Sequence, residues 1–215
     1  MGARTRSGPT ADPVPPRAAV RIEDHPVHRL RPHALERTDA PRLVRQYPSG
    51  WSHALLAAVI AACANLAEDA TPAAVLRTAA GAFANANPST MAALVGGALL
   101  AAAREIGDVD DVDLKVALTI GTVAAESIAT RGKSHVGEKT ILDALVPALE
   151  AMETASDDAL AAGIRAAGEG IEQTRSLQSM RGRASWLGER SKGLRDPGAT
   201  AFLRLLEGLD VARQA

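Results

Sequence analysis

The chain has 215 residues, 47% hydrophobic but only 2% aromatic, with a net charge of −1 and a single cysteine, Cys63. That length suits one domain with room for a tail, and near-neutral charge gives no general pull toward nucleic acid. One cysteine excludes an intrachain disulfide, and the longest apolar run, Ala54 to Ala64, is shorter than the about 20 residues a membrane span needs.

With so few aromatics the core must come from Ala, Leu, Val and Ile. Alanine is the strongest helix former, and β-branched residues do not alternate with polar ones. The expected fold is therefore all-α, an antiparallel up-and-down assembly. No apolar segment suited to a secretory signal follows Met1, so a cytoplasmic location is expected.

Residues 1–50 hold nine Arg against five Asp or Glu, a balance of +4 that leaves −5 for the rest. Residues 1–20 are rich in Pro, Arg, Ala and Gly and are expected to be disordered. Pro26, Pro32, Pro41 and Pro48 keep any helix before residue 50 short, with Ala34 to Arg37 the best candidate. The expected division is a tail over 1–33 and a helical domain over 34–215.

Helices follow in order. Ser52 caps the first, to about Ala67, with Cys63 expected as a buried core thiol. Thr71-Pro72 opens the second, to about Phe83, and Asn87-Pro88-Ser89 the third, to about Ile106. Gly96-Gly97 inside that third helix predicts close approach by another backbone. Asp111 or Asp113 caps the fourth, which ends at Arg131-Gly132. The fifth runs from Glu138 to about Ala155, and the sixth from Asp157 to about Leu177. Pro197 opens the last. Leu142, Leu145, Val146 and Leu149 form one apolar stripe; Phe202, Leu205, Leu206 and Leu209 form another.

Before the last helix lies a polar interruption. Arg175, Arg181, Arg183, Arg190, Lys192 and Arg195 surround one acid, Glu189, ahead of the Asp196-Pro197-Gly198 turn. Arginine forks suit phosphate oxygens, and the amides opening the last helix favour an anion. The segment is either a phosphate-facing pocket or a solvated loop with ordinary surface pairs. Asp108, Asp110, Asp111 and Asp113 look like a metal loop but lack the glycine and terminal glutamate of a calcium site, so capping is the better reading. His25, His28 and His33 sit among prolines; His53 and His135 are read as solvent-facing.

The run Gly182-Arg183-Ala184-Ser185-Trp186-Leu187-Gly188-Glu189-Arg190-Ser191, with Asp196-Pro197-Gly198-Ala199 after it, resembles the dihydroxyacetone kinase L subunit (ADP-binding subunit) family. A second similar run is Arg131-Gly132-Lys133, Gly137-Glu138-Lys139-Thr140, Asp143 and Val146-Pro147. The resemblance covers about Ile128 to the C-terminus. It implies a barrel of antiparallel helices with ADP or ATP at one rim. Arg183 would then lie near the phosphates, Asp196, Pro197 and Gly198 would line the nucleoside, and Gly132 and Ile141 would be further contacts. Ser89 and Thr90 match a glycine-rich turn; Ser89 either reaches a phosphate or simply caps its helix.

The family holds magnesium through aspartates near its amino end. The equivalent here is Arg45 to Gly50 leading into Trp51 and Ser52, with Gln46 and Pro48 at two aspartate positions and Pro41 near the third. None supplies a carboxylate, so no metal ligands are expected, although Ser49, Gly50, Trp51 and Ser52 keep the place of the nucleotide-facing segment. The resemblance implies a phosphotransferase component. It would act with a separate substrate-binding K subunit on dihydroxyacetone or a related small ketose or polyol, or with a phosphohistidine carrier protein. The missing aspartates put catalysis in question. The alternative is a non-catalytic regulatory or scaffolding homologue that binds a nucleotide or another phosphorylated ligand. Neither nucleic acid nor membrane is an expected partner.

Overall fold

The structure, a computed structural model, describes residues 59–86 and 89–214. These are helical throughout, with no strand among the described residues. Residues 59–63 end a helix. Then come α1 (Pro72–Ala86), α2 (Thr90–Ile106), α3 (Leu114–Gly132), α4 (Leu142–Thr154) and α5 (Ala159–Gln173). A 3-10 segment (Arg183–Ser191) and α6 (Pro197–Gln214) complete the chain. The boundary expected at residue 33 and the short helix at Ala34 lie outside the described residues.

Each helix packs on the next, and α4 also meets α6. Up-and-down order therefore gathers the N-termini of α2, α4 and α6 with the C-termini of α3 and α5 at one rim. Alanine makes this closeness possible. Ala144, Ala148, Ala167 and Ala199 are fully buried between α4, α5 and α6, joined by Ile171 and Leu206. A second cluster joins Ala98, Ala125, Ile128, Leu142 and Leu145. At Gly96 an added methyl would meet the Ala80 carbonyl at 3.2 Å, the expected close backbone approach. Over Gly97 the neighbour is instead the Arg131 guanidinium.

Several caps sit where the sequence puts them. Thr71 Oγ1 accepts from the Ala74 amide at 3.3 Å, Ser89 Oγ from Ala92 at 3.1 Å, and Asp113 Oδ1 from Val116 at 2.7 Å. Several expectations need correction. The first helix stops at 63 rather than near Ala67, and Cys63 is half-buried rather than in the core. Asp158, not Asp157, caps α5, through the Ala161 amide at 3.0 Å. That helix ends at Gln173, short of Leu177, with Thr174 as its C-cap, whose amide and hydroxyl both donate to the Gly170 carbonyl. In α6 only Leu206 of its stripe is buried, while Leu205 and Leu209 are exposed.

The start of α4 is the largest departure. Its ladder begins at Leu142, not Glu138, because Lys139 has φ +60 and turns its side chain inward. Asp143 Oδ2 accepts from the Thr140 amide at 2.6 Å, while Thr140 Oγ1 accepts from the Leu142 amide at 3.2 Å. These bonds form a capping box centred on Thr140.

Candidate functional site

Three distant stretches meet at the gathered rim. A methyl added to Gly198, at the head of α6, would lie 3.5 Å from both Ile141 Cβ and Met91 Cε. One added to Gly132, closing α3, would lie 3.3 Å from Leu94 Cδ1. The opening turns of α2, which carry Ser89, Thr90, Met91 and Leu94, thus face Gly132, Ile141 and Gly198. Of the residues singled out from the sequence, Ser89, Thr90, Gly132, Ile141, Asp196, Pro197 and Gly198 all share this rim. Ser49, Gly50, Trp51 and Ser52 lie outside the described residues.

Ser89 caps α2, which uses an oxygen lone pair and leaves the hydroxyl proton free to donate elsewhere. Thr90 is exposed beside it. Asp196 caps α6: its Oδ2 accepts from the Ala199 amide at 2.8 Å. Burial pushes the Asp196 carboxyl above its ordinary range, against the pull of the Ala199 and Gly198 amides. Pro197 stands exposed at the first helical position.

Four cations of the basic loop turn to partners within the protein. Arg181 grips Glu138 with two bonds, Nε to Oε2 at 2.8 Å and an amino nitrogen to Oε1 at 2.6 Å. Arg195 pairs with Glu172 at 2.5 Å and Lys192 with Glu189 at 2.8 Å. Arg175 donates to the Gly193 carbonyl at 2.8 Å and reaches Glu172 at 3.4 Å. For Arg175, Lys192 and Arg195 the surface-pair reading holds, and such exposed pairs add little stability, whereas the Glu138 that Arg181 grips is buried. Arg183 opens the 3-10 segment, and its side chain lies outside what the structure describes.

Glu138 gives the loop a pH-sensitive anchor. The Arg181 guanidinium holds its carboxyl below the usual range, helped by the His135 amide. A depressed acid stabilises the fold above the unfolded pKa, and that contribution is lost as pH falls through the folded value. The wild type is therefore expected to lose more melting temperature than Glu138→Gln when acidified below about pH 4. Parallel losses in the two proteins would contradict this assignment.

Sequence reasoning missed the two groups that organise the rim from beneath. Asp143, 1% exposed, accepts from the Gly137 amide at 2.5 Å as well as from Thr140. Lys139, 2% exposed, donates to the Arg175, Leu177 and Ser191 carbonyls at 2.9, 2.8 and 2.7 Å. The Thr-x-x-Asp spacing of Thr140 and Asp143 signals the first of these; no local pattern signals the second.

Magnesium does not fit the described residues. No group of three His, Cys, Asp or Glu among them could hold a metal. The rim carboxylates are already engaged: Glu138 by Arg181, Asp143 by Gly137 and Thr140, Asp196 by Ala199. Two open grooves lie on the flanks. One of about 430 Å³ runs between α5 and α6, past Arg165, Glu169 and Leu203; the other, of about 280 Å³, runs between α3 and α4, past Leu118 and Glu150. The first reaches the rim end of α5 through Glu172 and Arg195, whereas the second lies along the flank.

Residues 52–210 match the DAK2 domain family. The chain belongs to that family. The L-erythrulose 1-kinase of Mycolicibacterium smegmatis is 36% identical over 132 residues, covering 60% of this chain and 23% of the relative. The ADP-binding subunit DhaL of the PEP-dependent dihydroxyacetone kinase of Escherichia coli is 37% identical over 94 residues, covering 41% and 45%. This DAK2 chain spans less than half the length of these curated relatives.

The fold agrees. The dihydroxyacetone kinase of C. freundii in its native form superposes with a TM-score of 0.60 at 16% identity, over 95% of this chain and 38% of that one. Its complex with AMP-PNP and Mg2+ gives 0.56 at 20%, over 96% and 38%. At such identities the likeness establishes the all-helical DAK2 fold alone. Among the described residues no helix is long and apolar enough to cross a membrane.

Proposed function

We propose that the chain holds ADP or ATP at the rim and serves as the nucleotide-binding component of a dihydroxyacetone-kinase-type phosphotransferase. The observation that carries this reading is the convergence of Met91 and Ile141 on Gly198, where an added methyl would lie 3.5 Å from a side-chain atom of each. It brings the head of α2, the turn before α4 and the head of α6 together, with Gly132 alongside. Gly198 and Ile141 would lie along the nucleoside, and Pro197 and the capped Asp196 would shape its wall. The Ser89 hydroxyl and Thr90 would face the phosphates from α2 and Arg183 from the loop, and Ser49, Gly50, Trp51 and Ser52 are the further nucleotide contacts that the family resemblance implies.

The acceptor would be dihydroxyacetone or a related small ketose, held by a separate K-type subunit. The names of the erythrulose kinase relatives support a small ketose. A phosphohistidine carrier protein is the other partner consistent with relatives named as PEP-dependent. Bound nucleotide would supply the phosphoryl group; this chain's residues would orient it and exclude water around it.

A second reading rests on a specific observation: Glu138, Asp143 and Asp196 at the rim are each bonded internally, and by the family resemblance Gln46 and Pro48 would fall at the aspartate positions. It is a homologue that binds nucleotide without transferring phosphate. Calorimetric titration with ADP and ATP, with and without magnesium, separates the two. Binding that requires the metal supports the transferase, and binding indifferent to it supports the non-catalytic holder. Arg183→Ala is expected to weaken binding about tenfold, as loss of a charged phosphate contact should. No binding under any condition, with Arg183→Ala indistinguishable from wild type, defeats both.

A further inference from the structure

The loop between α5 and α6 has little hydrophobic anchorage. Leu177, Met180, Trp186, Leu187 and Leu194 are exposed, Trp186 at 81%. Yet this loop carries Arg183 and delivers the chain to Asp196. What holds it is polar: the Glu138 carboxylate grips Arg181, and one buried ammonium binds both ends of the loop.

Lys139 reaches the loop from the turn before α4. Its ammonium has three protons, and three carbonyls take them: Arg175 and Leu177 where the loop begins, Ser191 where the 3-10 segment ends. Those acceptors lie 36, 38 and 52 residues downstream. Lesser ties gather around it. The Gly193 amide donates to the Arg175 carbonyl at 2.9 Å, the Ser179 amide to Ser191 Oγ at 2.9 Å, and the Met180 amide to the Glu138 carbonyl at 3.2 Å. Lys139 itself sits at φ +60, a conformation that a lysine seldom adopts unless its surroundings compel it. Solvent would otherwise be the natural home of an ammonium, so burying one against three carbonyl oxygens, with the Asp196 carboxylate favouring its charge, marks an internal cation with a fixed task.

We propose that Lys139 is the positioning residue of the rim, a tethered cation that closes both ends of the 175–191 loop and so sets Arg183 and the Asp196 turn against the bound nucleotide. This rests on the reading of the rim as a nucleotide site. Lys139 would not itself touch the nucleotide, because its three protons are spoken for.

Lys139→Met keeps the stem and removes the charge. The full-length variant is compared with wild type where circular dichroism shows full helicity in both. Trypsin cleavage within the loop is expected to quicken about tenfold, and the ADP Kd to rise about tenfold, as a pre-ordered element becomes one that binding must order. For Lys139→Gly, ammonium chloride but not sodium chloride is expected to recover part of the protease resistance by refilling the ring of carbonyls, an effect that mere packing loss would not show. Should Lys139→Met fail to fold, Lys139→Gln carries the same comparison. Wild-type cleavage rates in the neutral variant overturn the proposal, and so does an opened loop with unchanged ADP affinity. Absence of ADP binding to the wild-type chain overturns the nucleotide reading, and the proposal with it, even if the loop opens.

Discussion

Asp143→Ala is expected to destabilise the protein by about 2–4 kcal/mol and to lower its melting temperature by roughly 5–15 °C. The carboxylate is 1% exposed and holds the turn before α4 through the Gly137 amide at 2.5 Å and the Thr140 amide at 2.6 Å. Charge-assisted bonds of this kind contribute about 1.5–3 kcal/mol each, and removing the acceptor leaves the donors unpaired. Gly137 is exposed, so water repairs part of the loss there; Thr140 is half-buried and recovers less. The damage should spread, because the same turn presents Lys139 to the loop. Asp143→Asn keeps one acceptor oxygen and should lose less. Urea and thermal unfolding of the three proteins measure this, and a loss below about 1 kcal/mol in the alanine variant would contradict the capping-box account.

Gly170→Ala should cost about 2–3 kcal/mol, although alanine is the better helix former by about 1 kcal/mol. An added methyl there would lie 1.9 Å from the Asp143 carbonyl oxygen and 3.1 Å from its carbon. That neighbour is backbone in a capped helix start and cannot swing aside, so α5 must lift from α4. Gly168 is the internal control. It lies in the same helix with nothing within 4 Å of its added methyl. Gly168→Ala should therefore be neutral or stabilising by up to about 1 kcal/mol. If both substitutions shift the denaturant midpoint alike, close packing of α5 on α4 is not what Gly170 serves.

The helix starts were legible wherever local chemistry decides them. Thr71-Pro72, Ser89, Asp113 and Pro197 each open a helix within a residue or two of expectation. Asp157 and Asp158 are both competent caps, and only tertiary placement selects the second. The start of α4 was illegible for a different reason: the backbone of Lys139 is set by carbonyls on a loop 36 to 52 residues away. For the site, the resemblance names Gly132, Ile141 and Gly198 as contacts; in the structure Ile141 lies against Gly198, and Gly132 lies against Leu94. It did not give the direction of the arginines. Charge count alone says that a loop is basic, whereas the Glu138 that captures Arg181 lies 43 residues upstream. The all-α fold was legible in the alanine-rich composition, and the fully buried alanines of α4, α5 and α6 are what its helices pack through.

Nuclear magnetic resonance of the isotope-labelled chain titrated with ADP, with and without magnesium, tests the rim most directly. The account predicts that the backbone amides of Met91, Gly132, Ile141 and Gly198 shift together with one saturation curve. Shifts confined to the flank grooves at Leu118 and Glu150 or at Arg165 and Leu203, or no shifts at all, would contradict it.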